Sequence, residues 1–381
     1  MIYLDISAAV HARAGLGRYA ENLARALAQE QPERFALFHN LGGDVSASHL
    51  NLDETLAALP RRTVPYGYKP WRTAVLLGQL TGLGFNRLVP QADLFHATEH
   101  LLLPLRGVPT VLTVHDLIFK LFPEYHKKLN YWYLNWAMPL YCRRATKIVA
   151  VSAHTRQDLI AQYDLDPAKI VVVHEAAAEH FREPTVDEIT AVRQKYNLPS
   201  QFLIHLSTIE PRKNLPRLLE AFQRLRGQFP DLHLILVGAK GWLYDDFFAQ
   251  IERERLGAVV RALGWVPDED LPAVLAAASL AVQPSLYEGF GLPLLEHMAS
   301  GQVVAASYAS SFPEIGGNAA AYFDPTDVDE ITAVIRHLLT QSDEYQQRRQ
   351  LGLARAQQFS WRKTAQETIA IYDEILTQKT T

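Results

Sequence analysis

Two carboxylates and a pair of glycines mark the part of this sequence best suited to chemistry. In the run Ser285-Leu-Tyr-Glu-Gly-Phe-Gly-Leu-Pro-Leu-Leu-Glu-His-Met-Ala-Ser-Gly301, Glu288 and Glu296 bracket a turn through Gly289 and Gly291. A strand-like run, Leu280-Ala-Val-Gln283, precedes the turn, and an apolar helix follows it. Unbonded N–H groups at a helix start attract phosphate. Glycine lets the backbone approach a ligand closely, and Pro293 in the first helical turn sacrifices no hydrogen bond. Glu288 is expected on the loop and Glu296 about one turn inside the helix, one on the far side of a bound phosphate and the other on the near side. A second segment, Ser207-Thr-Ile-Glu-Pro-Arg-Lys-Asn214, leaves the strand Phe202–Leu206 with Arg212 and Lys213 at its end, where a diphosphate is best met by two cations. Asn214 is the expected N-cap of the next helix. Gly238-Ala-Lys-Gly-Trp242 and Gly264-Trp-Val-Pro-Asp-Glu-Asp-Leu271 follow the next two strands, the latter predicting an acidic helix cap.

The elements that must hold these loops alternate. Strands are expected at Met1–Ser7, Phe35–His39, Leu94–Ala97, Pro109–Val114, Lys147–Val151 and Ile170–Val173. A second series covers Phe202–Leu206, His233–Val237, Val259–Leu263, Leu280–Gln283, Val303–Ala306 and Ala321–Phe323. Helix-period segments, among them Arg18–Gln29, Leu215–Gly227, Asp270–Ala277 and Asp329–Gln341, lie between them. Continuous apolar strands separated by helices predict parallel sheets covered on both faces, and in such sheets ligands sit at the carboxyl ends of the strands. A chain of 381 residues is long for one core. Two α/β domains are therefore expected, residues 1–175 and 200–360, joined by 176–199, with a final helix at 361–381 that packs on either one. The net charge of −4 predicts no broad basic face for nucleic acid. Cys142 is the lone cysteine, which rules out an intrachain disulfide and suits the cytoplasm. The amino terminus lacks a signal-peptide layout, and no apolar run reaches membrane-spanning length.

Taken together, Glu210-Pro-Arg-Lys-Asn-Leu215, Leu236-Val-Gly238, Leu263-Gly-Trp-Val-Pro267 and Pro284-Ser-Leu-Tyr-Glu-Gly-Phe-Gly-Leu-Pro293 resemble the C-terminal half of the retaining nucleotide-sugar glycosyltransferases of family 4. Glu288 and Glu296 match that family's Glu-x7-Glu signature. The first half resembles it more loosely. Ala14-Gly-Leu-Gly-Arg-Tyr19 looks like the family's glycine-rich loop after the first strand, Thr113-Val-His-Asp-Leu117 like the segment whose histidine faces the donor sugar, and Ala150-Val-Ser-Ala-His-Thr-Arg156 like a strand-to-helix turn. The likeness covers roughly residues 1–360 and looks strongest to bacterial mannosyltransferase-like members that extend surface polysaccharides.

The resemblance implies a GT-B fold: α/β, with two doubly wound, Rossmann-like parallel-sheet domains facing each other across a cleft. It implies retaining transfer of a mannosyl or glucosyl group from a GDP- or UDP-sugar to a hydroxyl of a glycan or lipid-linked acceptor. Arg212 and Lys213 would neutralise the departing diphosphate, with Glu288 on donor-sugar hydroxyls and Glu296 on the ribose. Phe290, Gly291 and Leu292 would present main-chain amides, Gly238 would belong to the phosphate cradle, and Val266 would lie near the base. Gly15, Gly17 and His115 would face the donor from the first domain, brought over it by domain closure. Ser207 departs from the family pattern, which often has glycine there; its hydroxyl could hydrogen-bond phosphate, but its Cβ narrows the approach. Glu288 is read as a sugar holder rather than a nucleophile, since a front-face path is usually proposed for the family. No cofactor beyond the donor substrate is expected, and no metal, because no Asp-x-Asp motif sits in a suitable loop.

Competing readings stay open. A nucleotide-sugar epimerase on the same fold needs no acceptor surface, and an inactive nucleotide-sugar-binding protein would bind without turnover. A phosphorylase would need a pyridoxal lysine, for which no strong candidate stands out. Gly15-x-Gly17-x-x-Ala20 fits a dinucleotide fingerprint, but the second strand ends without an acidic residue. His96-Ala-Thr-Glu-His100 fits an inverted zinc-protease motif, but it reads as a strand end on which the two rings diverge. The aromatic and basic segment Tyr66–Arg87 suits either a helix packed on the first domain or contact with a membrane surface. A cytoplasmic protein peripheral to the inner membrane face is the corresponding expectation.

Overall fold

Short buried runs rich in Leu, Ile, Val, Ala and Phe build the strands of both halves. The computed structural model describes residues 1–11, 14–41, 52 and 54–380. The chain divides into two units, Met1–Glu175 with Ser360–Thr381, and Ala176–Phe359.

In the first unit β1 (Ile2–Asp5), β2 (Phe35–Asn40), β3 (Arg61–Val64), β4 (Leu94–Ala97), β5 (Thr110–Val114), β6 (Lys147–Ala150) and β7 (Ile170–Val172) form one parallel sheet, ordered β3-β2-β1-β4-β5-β6-β7. Strands β1, β2, β4 and β5 are buried at every position, as expected of a sheet with helices on both faces. Strand β3 was not expected. Its Arg61, Arg62 and Thr63 are exposed, so no apolar run announces it, and charged residues of this kind protect an edge strand from further pairing. The last helix, Trp361–Thr380, packs on the helix Ala14–Glu30 of the same unit. Trp361 meets Tyr19 at 5.8 Å between ring centroids.

In the second unit β8 (Phe202–Leu206), β9 (His233–Val237), β10 (Val260–Gly264), β11 (Leu280–Gln283), β12 (Val304–Ser307) and β13 (Ala321–Phe323) are ordered β10-β9-β8-β11-β12-β13, all parallel. The amphipathic helix Leu215–Arg226 buries Leu215, Leu218, Leu219, Phe222 and Leu225 against this sheet's core. In each unit the strand order reverses beside the first strand, between β1 and β4 and between β8 and β11. Loops leaving such a switch point form the natural ligand crevice of an open α/β sheet.

Candidate functional site

In the second unit the loops after β8 and β11 both leave the switch point, and they bring three of the sequence-predicted residues together. Glu288 Oε2 lies 2.6 Å from the Arg212 guanidinium, and Glu288 Oε1 lies 2.6 Å from Lys213 Nζ. Glu210, to which the sequence reading gave no role, accepts from Arg212 Nε at 2.5 Å. Burial alone would raise the Glu288 carboxyl; the charges of Arg212 and Lys213 overcome it and bring the pKa down to about 2. Burial, with Arg212 alongside, holds the Lys213 ammonium below its ordinary value. Both acid and base are nearly sealed, and a broken buried pair leaves an uncompensated charge.

The loops are braced from several sides. Asn214 stands at the N-cap position but makes no side-chain cap hydrogen bond; it takes a left-handed conformation, and its amide donates to the carbonyls of Pro284 and Pro325. The β8 loop is also zipped to the β9 loop, where Ile209 N–H donates to Ala239 and Gly241 N–H to Ile209. Gly238 has φ +127°, and a Cβ there would stand 2.0 Å from the Ser207 carbonyl oxygen, so glycine is required for the two strand ends to meet. Ser310 Oγ accepts from the Glu288 N–H, and Ser311 Oγ–H is placed to donate to the carbonyls of Glu288 and Phe290. These two serines and Glu210 escaped the sequence reading; an adjacent serine pair has no signal until β12 brings it under the β11 loop.

The helix Leu292–Ala299 starts on Gly291, whose φ of +102° is open to glycine at low cost, and a Cβ there would sit 2.7 Å from the Phe312 ring. Among the positions that open this helix Pro293 carries no N–H and the Leu294 N–H donates to the Gly291 carbonyl, which leaves the Leu292 amide without a partner inside the helix. Phe290 is buried against Phe359. Glu296 lies one turn inside the helix and is buried, as is Val266 after β10. Ser207 differs from expectation in one respect. Burial lowers the pKa of His205 to about 4, so the ring is neutral; its Nδ1–H donates to the Val282 carbonyl. His205 Nε2, 2.6 Å from Ser207 Oγ, is then an acceptor, and the serine hydrogen points to the histidine. Toward a phosphate this hydroxyl offers lone pairs only. The acidic turn expected before the next helix puts Asp270 at the N-cap position without a side-chain cap hydrogen bond; its carboxylate accepts from Lys195 and the Tyr196 hydroxyl.

In the first unit His115 follows β5. Its Nε2 lies 3.0 Å from the Thr98 carbonyl and its Nδ1 3.0 Å from Glu175 Oε1. Both partners are acceptors, an arrangement that favours the imidazolium, in which both ring nitrogens donate. Burial opposes that charge, but Glu175, the Thr98 carbonyl and Asp116 outweigh it and raise the pKa above 6.5. Tyr19 packs edge-on against the ring at 4.6 Å. Glu175 is a further residue the sequence did not reveal, being 60 positions away. His96 is buried and neutral, its pKa lowered to about 3, with its ring nitrogens on the hydroxyls of Tyr372 and Thr113. Gly15 and Gly17 do not lie in a loop; the helix begins at Ala14 and contains both. A Cβ on Gly17 would stand 2.9 Å from the Ala8 carbonyl, whereas Gly15 faces no atom within 4 Å. Among the described residues no group of three His, Cys, Asp or Glu side chains converges to hold a metal ion.

Residues 188–355 match the family model of Glycosyl transferases group 1, and residues 13–177 that of Glycosyltransferase Family 4. The chain is 34% identical over 375 residues to the O-antigen chain mannosyltransferase B of Escherichia coli, a match covering 94% of this chain and 95% of that one. It is 29% identical over 288 residues to the MMP alpha-(1->4)-mannosyltransferase of Mycolicibacterium hassiacum, covering 72% and 66%. Among solved structures, Anabaena HepE in complex with UDP-glucose has a TM-score of 0.75 at 20% identity, covering 98% of this chain and 99% of that one. This last likeness speaks for the fold, a GT-B pair of Rossmann-like domains.

Proposed function

The chain belongs to the family 4, group 1 glycosyltransferases, acting in glycan biosynthesis, and on that premise we propose retaining, metal-independent transfer of a hexosyl group from a nucleoside-diphosphate sugar to a glycan or lipid-linked glycan hydroxyl. Mannose is the favoured sugar and glucose the second, because two of the relatives above are mannosyltransferases and HepE was crystallised with UDP-glucose. The reaction takes place in the cytoplasm at the inner face of the membrane.

One observation carries the reading: Arg212 and Lys213 converge on a carboxylate at the switch point, next to the amides that open the helix Leu292–Ala299. The anomeric carbon–oxygen bond to the diphosphate breaks, the diphosphate takes the electron pair, and the acceptor hydroxyl gives up its proton as the new glycosidic bond forms. Negative charge grows on the departing oxygen. Two cations and a helix start stabilise it in the transition state, the part that a metal ion plays elsewhere. The anion-binding capacity that holds Glu288 in the free protein is the capacity that a diphosphate uses. Glu288, with its pKa at about 2, stays ionised and accepts hydrogen bonds from donor-sugar hydroxyls.

The test is proton NMR of the product formed from GDP-mannose or UDP-glucose on a panel of mannosyl and glucosyl oligosaccharides, in excess EDTA. The expected product keeps the α configuration of the donor at an unchanged rate. A β product refutes retention, and loss of activity in EDTA refutes the metal-free mechanism.

A further inference from the structure

Seven of the twelve large hydrophobic side chains that are exposed among the described residues fall on one part of the first unit: Tyr66, Leu77, Leu80, Leu83, Leu129, Trp132 and Trp136. They belong to two helices and their flanks, Tyr68–Thr81 and Lys128–Arg144. The helices lie side by side: Arg72 donates to Asn130 Oδ1, its guanidinium stacks 3.6 Å from the Tyr133 ring centroid, and Arg144 reaches back to Gln79. Each helix already has a buried face, Trp71, Val75 and Gly78 on one and Leu134, Met138 and Tyr141 on the other. The exposed apolar residues are therefore additional to the buried face of each helix. On the second helix Leu129, Trp132 and Trp136 recur at i, i+3 and i+7, and they are 79%, 61% and 73% exposed.

The two stretches of chain that carry these residues hold only cations. Residues 55–92 contain five cations and no carboxylate, and residues 125–144 contain four cations and no carboxylate. Nine positive charges without a negative one stand out in a chain whose net charge is −4. An acidic protein partner would satisfy the cations but would not need so many scattered, outward indole and leucyl groups. An anionic bilayer satisfies both, since indoles settle at the headgroup level and lysines and arginines meet lipid phosphates.

We propose that the face formed by the helices Tyr68–Thr81 and Lys128–Arg144 docks this enzyme on an anionic phospholipid surface, with Leu129, Trp132 and Trp136 inserted and Lys127, Lys128, Lys69 and Arg143 on the headgroups. This names a surface for the inner-face setting proposed above and rests on that reading only for its biological context. The contact is peripheral: no helix of the described residues is long and apolar enough to cross a membrane.

Flotation of the full chain with vesicles of phosphatidylglycerol and phosphatidylcholine tests it. Binding is expected to phosphatidylglycerol-rich vesicles, not to pure phosphatidylcholine, and to weaken as salt shortens the screening length. Lys127→Glu with Lys128→Glu should lower the partition coefficient by at least about tenfold, and Trp132→Ser with Trp136→Ser should remove the blue shift of tryptophan emission on binding. Thermal stabilisation by GDP or UDP reports folding of the variants and should be unchanged in both. Failure to bind phosphatidylglycerol vesicles, or binding unaltered by both pairs of substitutions, overturns the proposal. Concentration-dependent self-association that the tryptophan substitutions abolish, without vesicle binding, overturns it in favour of a second copy of the chain. Vesicle binding by a protein that GDP and UDP do not stabilise would instead count against the donor assignment and leave the docking face standing.

Discussion

The two units place a buried ion cluster near the switch point of sheets with the same central strand order, but the clusters are built in opposite ways. In the second unit a carboxylate sits between two cations, and its pKa falls to about 2. In the first unit a histidine sits between a carboxylate and a main-chain carbonyl, and its pKa rises above 6.5. In the first arrangement the carboxylate stays ionised across all physiological conditions, and the site can exchange one anion for another because cations, not a proton, supply the attraction. The second loses its charge as pH rises through the raised value. Loss of transfer as pH rises should thus follow His115, with the depressed Lys213 ammonium as the other group that can lose charge, and anion affinity should follow Arg212 and Lys213.

The largest expected effect breaks the second cluster. Arg212→Ala or Lys213→Ala should each lower kcat on the order of 10²–10³-fold, as when a group aimed at developing charge is removed. A steady-state assay in which either variant retains wild-type turnover would dissolve the distinction drawn between the units. Glu288→Ala is expected to lose transfer while still binding free nucleotide.

The next effect sharpens the first cluster. Glu175→Ala leaves His115 buried without its counter-charge and should cost about 3–5 kcal/mol of stability, measured by urea denaturation. Since the folded pKa of His115 lies above the unfolded value, its contribution is fully present below pH 6.5 and is lost as pH rises through the raised value. Glu175→Gln should shift that loss, and any alkaline limb of the kcat profile, to lower pH. An alkaline limb that stays in place would remove His115 from the account.

Glu288 has the opposite sign. Its depressed carboxyl contributes stability that is present above pH 4.5 and is lost as pH falls toward about 2. Melting temperatures of wild type and Glu288→Gln should therefore converge over that window, and parallel curves would deny the coupling. The smallest effect belongs to the brace: Ser311→Ala removes the donor to two loop carbonyls and should cost about 1 kcal/mol, with a rise in KM for the donor larger than the change in kcat.

The comparison also shows what a sequence discloses. The second unit was legible because its chemistry is local: Arg212 and Lys213 are neighbours on one loop, and Glu288 and Glu296 share a turn and a helix. Apolar runs located both sheets apart from β3, where Arg61, Arg62 and Thr63 hide an edge strand. What stayed hidden depends on long-range pairing. Glu175 meets His115 across 60 residues, and Ser310 and Ser311 acquire a role only under the loop that carries Glu288. Gly17 was read as a loop glycine although helix packing against Ala8 accounts for it, because a glycine pair near a helix start looks alike in either setting. The exposed tryptophans were invisible for a related reason, since periodicity alone does not tell an outward stripe from a buried one.

The central claim is that the second unit grips a diphosphate with paired cations and main-chain amides. Calorimetric titration of wild type and Arg212→Ala with GDP, GMP, UDP and UMP in EDTA tests it most directly. The account predicts that wild type binds one of the diphosphates far more tightly than its monophosphate, and that the substitution erases most of that difference. Equal affinity for diphosphate and monophosphate in wild type, or a difference that survives the loss of Arg212, would contradict it.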